Sequence, residues 1–370
     1  MLPRYLVSQV RQDLCRKMVF VGGPRQVGKT TIAKSLLEDP HGYLNWDVPE
    51  HRTQILKKEL PPTTLWVFDE LHKYRLWRNW LKGIYDIKSP AQQILVTGSA
   101  RLDYYRFSGD SLQGRYHYLR LHPLSLAELS SQAAADFQQL LELGGFPEPF
   151  ASGSAIEAKR WSREYRTRLI REDLVELEQV HDLGTLELLS LRLPELVGSP
   201  LSINAVRQDL QVSHKTVSTW LMILERLYAI FRISPFGAPK IRAVKKEQKH
   251  YHFDWTLVTD MSLRFENLVA CALLKWVHFQ QDTQGEEWDL RYFRDIDGRE
   301  VDFILLHNNK PQRLIECKWN DTDISPALKY LKTRFPDCEA WQLSAIGKKD
   351  YVGDLGTRVC PAPLFLKTLI

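Results

Sequence analysis

Gly22-Gly23-Pro24-Arg25-Gln26-Val27-Gly28-Lys29-Thr30-Thr31 is the stretch from which the fold of this chain is read. From Gly23 it satisfies G-x-x-x-x-G-K-[ST] without a gap. Just before it, Lys17-Met18-Val19-Phe20-Val21 is a short apolar run that predicts a buried strand. Just after it, Thr31 to Leu37 predicts the start of a helix. Strand, glycine loop, helix is the setting in which such a loop holds phosphate. Gly23 and Gly28 can take backbone angles closed to other residues, which turns successive N–H groups towards one anion. Lys29 then reaches the β- and γ-phosphates, and the Thr30 hydroxyl ligates Mg²⁺. Gly23, Pro24, Arg25, Gln26, Val27, Gly28, Lys29, Thr30 and Thr31 are therefore the expected ATP-binding residues.

A partner motif follows downstream. Tyr43 to Val48 predicts a second strand, helical text runs to Leu60, and Pro61-Pro62 stops it. Leu65-Trp66-Val67-Phe68-Asp69-Glu70 is then an apolar run ending in two carboxylates. Unbroken apolar character fits a strand buried on both faces of a parallel sheet. Asp69 is expected to hold Mg²⁺, and Glu70 to orient and deprotonate the attacking water. A third strand, Gln93 to Thr97, leads into Gly98-Ser99-Ala100. Thr97 or Ser99 is the candidate γ-phosphate sensor, with a helix cap as the competing role for Ser99. Arg115 opens the alternating run Tyr116 to Leu121. It is a candidate for neutralising phosphate charge on a neighbouring subunit, against the simpler reading of a local ion pair.

The bulk of the sequence sets the class. A chain of 370 residues predicts two to four domains. Hydrophobic residues make up 44% and charged residues 26%, ordinary for a water-soluble globular protein. Net charge is +5, which permits a nucleic-acid partner without requiring one. Five scattered cysteines include no C-x-x-C pair, so neither a disulfide frame nor a zinc site is expected. No apolar run approaches the ~18 residues of a membrane helix, and the first 14 residues mix charge into apolar text. The expectation is a cytoplasmic protein without a membrane partner.

Taken together, Gly23 to Thr31, Phe68-Asp69-Glu70, Thr97-Gly98-Ser99, Gly114-Arg115 and Pro123 to Leu129 resemble a prokaryotic AAA+ ATPase family. Members of that family carry a C-terminal winged helix and a restriction-endonuclease-like region. Gly144 to Glu148 resembles the family's marker between core and lid, and Arg171-Glu172-Asp173-Leu174 another of its motifs. The resemblance implies that the helical text at Asp136–Leu143, Ala155–Glu178 and Thr185–Leu196 forms a lid.

The residues beyond 200 carry their own signals. Ser202 and Ser213 each precede helical text, with Val217, Trp220, Leu221, Leu224 and Leu227 at core spacing in the second stretch. Tyr228 to Ile233 then predicts a strand. Helix, tight turn, helix, strand is a winged helix-turn-helix pattern, although the turn holds no glycine. His214, Lys215 and Thr219 face outward and are candidates for DNA contact, with packing against the rest of the protein as the competing role. The basic link Lys240 to Lys249 would favour a phosphate backbone, and a solvated loop fits it equally. Further on, Val301 to Leu306 and Leu314 to Trp319 predict a hairpin. Alternation puts Glu316 and Lys318 on one face, and the hairpin can bring Asp302 beside them. Asp302, Glu316 and Lys318 resemble the catalytic set of restriction-like nucleases, with Asp302 and Glu316 as metal ligands. Glu266, on an apolar helix face, is the helix carboxylate that such folds often add.

The expected protein is therefore α/β: a P-loop AAA+ parallel-sheet core (1–131), a helical lid (132–198), a winged helix (199–238) and a restriction-endonuclease-like domain (239–370). It binds and hydrolyses Mg·ATP and couples nucleotide state to DNA, as a monomer or a homo-oligomer. Two other readings stay open: a nucleotide-dependent interaction switch on a spent nuclease scaffold, and an ATP-licensed DNA nuclease.

Overall fold

The computed structural model of the chain describes residues 2–98, 112–129, 133–173, 182–237 and 248–370. The chain divides into two compact units between Pro123 and Leu124. Ser99, most of the basic link after Phe236, and the end of the expected helix beyond Asp173 lie outside the described residues.

The first unit is built on β1 (Met18–Gly22), β2 (Tyr43–Asn45), β3 (Leu65–Asp69), β4 (Gln93–Thr97) and β5 (Tyr116–Arg120), in the order β2-β3-β4-β1-β5. Every neighbouring pair is parallel. A parallel sheet is covered on both faces, which is why its strands read as unbroken apolar text: Val19, Val21, Val67, Leu95 and Val96 are all fully buried. One cover is the helix Trp77–Ile87. It places Trp77, Trp80, Leu81 and Ile84 at i, i+3, i+4 and i+7 against a core containing Phe20, Phe68 and Ile94. Burying side chains of this size stabilises by ~1.5–3 kcal/mol each. The register then sets the site. Asn45, Asp69, Thr97 and Val21 lie level across β2, β3, β4 and β1. The polar residues at the carboxyl ends of three strands thus meet beside the glycine loop that follows β1.

The second unit begins with the helices Ala133–Leu143, Pro147–Ser152, Ala155–Arg168 and Leu183–Arg192. The third of these widens into a π-helical turn over Leu169–Asp173. The helices Ile203–Leu210 and His214–Arg226 follow, capped by Ser202 on the Ala205 amide and Ser213 on the Thr216 amide. Between them Gln211 adopts φ 55°, supplying the left-handed position that a glycine would take more cheaply.

Eight strands then form one mixed sheet: β6 (Ile230–Pro235), β7 (Lys249–His252), β8 (Trp288–Arg294), β9 (Glu300–His307), β10 (Lys310–Lys318), β11 (Glu339–Ser344), β12 (Tyr351–Val352) and β13 (Arg358–Pro361). Their order is β12-β13-β11-β10-β9-β8-β6-β7. One expected boundary divides paired strands. The cut at 238/239 runs between β6 and β7, which pair with each other, while β6 also pairs with β8. The hairpin after the two helices therefore belongs to the same sheet as the C-terminal strands. Ser125 and Glu128, which precede the expected cut at 131/132, form a capping box that the buried Lys275 ammonium grips from within the second unit. The β9–β10 hairpin closes through Asn308 and Asn309, both at positive φ (51° and 63°), a two-residue turn that suits asparagine. Its register sets Phe303 opposite Ile315, and so Asp302 opposite Glu316.

Candidate nucleotide site and carboxylate cluster

The glycine loop leaves β1 as the sequence requires. Gly23 takes φ 133°, and a Cβ there would come within 2.2 Å of the Leu121 carbonyl oxygen. Gly28 takes φ 101° directly ahead of the helix Lys29–Ser35. Gln26 takes φ 59° without being glycine. A left-handed conformation at such a residue costs ~1–3 kcal/mol, so packing must impose it. The Lys29 ammonium curls over the loop, donating to the carbonyls of Gly23 (3.0 Å) and Pro24 (2.6 Å).

Asp69 is the hub of the site. One carboxylate oxygen accepts from the Thr30 hydroxyl at 2.8 Å and the Tyr43 hydroxyl at 2.6 Å. The other accepts from the Thr97 hydroxyl at 2.6 Å. The loop, β2, β3 and β4 are thereby locked to one buried carboxylate. Burial and the neighbouring Asp69 charge push the Tyr43 hydroxyl pKa up, so Tyr43 stays a donor. The donor set of Thr30 hydroxyl and Asp69 carboxylate is hard oxygen, which fits Mg²⁺.

Glu70 follows at φ 56°, turning the chain sharply into Leu71–Lys73. Burial raises its carboxyl pKa, while Lys73 and Lys29 pull it back. The Lys73 ammonium lies 3.5 Å from its carboxylate and 2.6 Å from Asp47.

Arg115 stands just before β5, which runs parallel to β1 with Tyr116 beside Met18 and Arg120 beside Gly22. It is thus at the amino end of these adjacent strands, ~15 Å along the strand from the glycine loop at their carboxyl end. Its guanidinium pairs with Asp86 at 3.1 Å. Two residues without a sequence signal also join the site. The Arg4 guanidinium donates to the Val27 carbonyl at 2.5 Å and to the His122 carbonyl, and the Tyr5 hydroxyl donates to the Arg120 carbonyl at 2.5 Å. They tie the loop to the end of β5 from a segment with no motif. Tyr43 was equally invisible, because its partner is 26 residues away in sequence.

In the second unit, His214 and Lys215 are exposed on the first turn of their helix and Thr219 is half-buried. Val217, Trp220, Leu221 and Leu224 are buried on the other side.

The β9–β10 hairpin brings the expected carboxylates together. Asp302 accepts from the Cys317 amide at 2.8 Å, and the Lys318 ammonium lies 2.7 Å from Glu316. The other Glu316 carboxylate oxygen is buried and has no hydrogen-bond partner among the described residues. Glu266 joins from the helix Met261–Phe279, accepting from the Tyr251 hydroxyl at 2.8 Å. Burial, with the Asp302 charge, pushes Glu266 and Glu316 each up to about 7.

One expectation is corrected here. Lys249, read as the end of an exposed basic link, is 0% exposed. Its ammonium lies 2.6 Å from Glu300, 3.4 Å from Glu266 and 3.8 Å from Asp302. The reason is topological: Lys249 opens β7, and pairing with β6 carries it into the sheet. Burial works against its charge, and Glu266, Asp302 and Glu300 more than restore it. Among the described residues no group of three or more His, Cys, Asp or Glu side chains is disposed to hold a metal ion. The cationic position beside Asp302 is filled by the chain's own ammonium.

Residues 15–130 match the family described as an AAA domain, which makes this segment an AAA-type nucleotide-binding ATPase domain on a parallel α/β core. Residues 134–267 and 263–365 match two domains of unknown function, DUF8612 and DUF4143. The chain is similar to uncharacterized protein Rv2008c of Mycobacterium tuberculosis and uncharacterized protein Mb2031c of Mycobacterium bovis. Each is 24% identical over 333 residues, 83% of this chain and 74% of the relative. Among solved structures, Aeropyrum pernix Orc1 in complex with DNA aligns over 72% of this chain and 93% of its own, at 13% identity and TM-score 0.36. A Thermotoga maritima RuvB variant aligns over 61% and 85%, at 17% identity and TM-score 0.28. Scores this low establish no common overall architecture. No helix among the described residues is long and apolar enough to cross a membrane.

Proposed function

We propose that the chain is a Mg²⁺-dependent ATP hydrolase whose nucleotide state is passed to a DNA-engaging second unit. The observation that carries the hydrolase reading is the convergence of Thr30, Tyr43 and Thr97 on Asp69. It brings the phosphate loop, the expected metal ligand and the β4 sensor position to one carboxylate. Thr30 and Asp69 would hold Mg²⁺, which would supply positive charge beside the phosphates. Lys29 exchanges two loop carbonyls for phosphate oxygens, and the loop amides orient the phosphates. Glu70 accepts the proton of the attacking water, its raised pKa making it a stronger base than an ordinary carboxylate. Arg115 faces away from its own loop, which supports action on a neighbouring subunit and not in cis.

DNA engagement rests on the exposed start of the helix His214–Arg226 and the β6–β7 hairpin that follows it. The test is ATP turnover with and without single-stranded, duplex and branched DNA, with particle size followed in parallel. Stimulation by any of these supports the coupling. Turnover indifferent to all three, with no DNA binding at low salt, would remove DNA from the reading and leave a protein-interaction switch.

For the carboxylate cluster, the burial of Lys249 favours a scaffold over a nuclease. A metal at Asp302 would have to displace an ammonium already balanced by three carboxylates. On this reading, Mn²⁺-dependent nicking is absent in the purified chain. Nicking that disappears in Lys318→Ala would restore the nuclease reading.

A further inference from the structure

Tyr43 is held in the first unit more firmly than an edge-strand tyrosine requires. β2 is the edge strand beside β3. Tyr43 and Asn45 are two residues apart on it and so share a face, while Leu44 between them is buried on the other. The Lys34 ammonium, from the helix Lys29–Ser35, stands over the Tyr43 ring at 4.5 Å from its centre. The Asn45 side-chain amide donates to the Tyr43 hydroxyl at 3.3 Å. The ring is thus held by the helix and the hydroxyl oxygen by the strand, which leaves the hydroxyl hydrogen for Asp69 at 2.6 Å.

Three hydroxyls among the described residues bond this carboxylate, and they differ in what else is asked of them. Thr30 would give a lone pair to Mg²⁺, and Thr97 stands at the sensor position that ends β4. Both therefore answer to the ligand. Tyr43 lies on neither the phosphate loop nor β4, so its hydrogen bond can persist through a cycle of binding and release. Hydrogen bonds to an ionised carboxylate are roughly twice as strong as those between neutral groups. A donor behind a metal ligand fixes that ligand's orientation, and its loss typically costs ~10–100-fold in metal affinity.

We infer that Tyr43 is a positioning residue for the divalent ion: its hydroxyl holds the Asp69 carboxylate beside the Thr30 hydroxyl, so that the two oxygens expected to hold Mg²⁺ stay 2.8 Å apart. On the nucleotide-site reading, on which this role rests, Tyr43 sets metal affinity and not phosphate affinity.

Two binding measurements on the full chain test this without recourse to turnover. The first is the affinity of the ADP-bound chain for Mn²⁺, a stand-in for Mg²⁺, followed by the paramagnetic resonance signal of the free ion. The second is the affinity for the fluorescent nucleotide mant-ADP in EDTA, which reports the phosphate loop alone. Tyr43→Phe keeps the ring beneath Lys34 and removes only the hydroxyl. It should weaken Mn²⁺ by ~10–100-fold, and mant-ADP in EDTA far less. Mn²⁺ affinity unchanged in Tyr43→Phe would overturn the positioning role while leaving the nucleotide site in place. Equal losses of Mn²⁺ and mant-ADP would also overturn it, because Tyr43 would then support the site as a whole. Failure of the wild type to bind mant-ADP at all would remove the nucleotide-site reading itself, and the role of Tyr43 with it.

Discussion

The Lys249 ammonium, wholly buried, lies 2.6 Å from a Glu300 carboxylate oxygen. Two more carboxylates, Glu266 and Asp302, lie within 3.8 Å of the same nitrogen. Removing the cation would leave buried negative charge unpaired, which costs ~3–5 kcal/mol where a buried ion pair is broken. The cost depends on pH. Folding raises Glu266 and Glu316 from an ordinary 4.5 to about 7. Acids shifted in this direction favour the folded state fully below their unfolded value and lose that advantage as pH rises through 7. Without Lys249 the carboxyls resist ionising still more. Lys249→Met should therefore lower stability to urea by ~3–5 kcal/mol at pH 8 and by clearly less at pH 5. Equal losses at both values would mean that the lysine contributes packing alone.

Lys29 and Glu70 should separate binding from turnover. Lys29→Ala removes the phosphate clamp and should abolish ATP binding. Glu70→Gln should keep binding and lower turnover ~10²–10⁴-fold, as expected for a missing general base. Because burial raises the Glu70 carboxyl, the acid limb of kcat should fall at a higher pH than for a solvated glutamate. Lys73 pulls that pKa down, so Lys73→Met should move the limb higher still. Wild-type turnover in Glu70→Gln would withdraw its catalytic role.

Arg115 offers a test in mixtures. It pairs with Asp86 at the amino ends of the strands, away from the loop, so the role proposed for it is on the phosphate of another copy of the chain. Arg115→Ala and Glu70→Gln, each inactive alone, should partly recover turnover when mixed, because one interface then holds both an intact Glu70 and an intact Arg115. A monomeric protein with full turnover in Arg115→Ala would sink the idea.

Lys215, exposed on the first turn of the helix His214–Arg226, should contact phosphate if the second unit engages duplex DNA. Lys215→Ala would then weaken binding similarly across sequences and reduce the salt slope by roughly one. Lys249→Met should leave that slope unchanged, since the lysine is buried. A slope that drops in Lys249→Met and not in Lys215→Ala would reverse the assignment.

The phosphate loop, the strand ending in Asp69 and the β9–β10 hairpin were legible in the sequence because each rests on local rules. Glycine at Gly23 answers a 2.2 Å approach, apolar runs answer burial on two faces, and strand alternation answers which side chains share a face. Elements with the right period could therefore be placed without knowing their neighbours. What only the tertiary structure decided is what stands opposite them. The Tyr43 hydroxyl on Asp69, Arg4 across the glycine loop, and Arg115 at the strand ends away from that loop depend on strand order and direction, which periodicity does not encode. Lys249 is the sharpest case. A run of basic residues reads as a solvated link, since isolated ammonium groups are costly to bury. The pairing of β7 with β6 delivers it to three carboxylates that offset that cost, from residues 17 to 53 positions further along the chain.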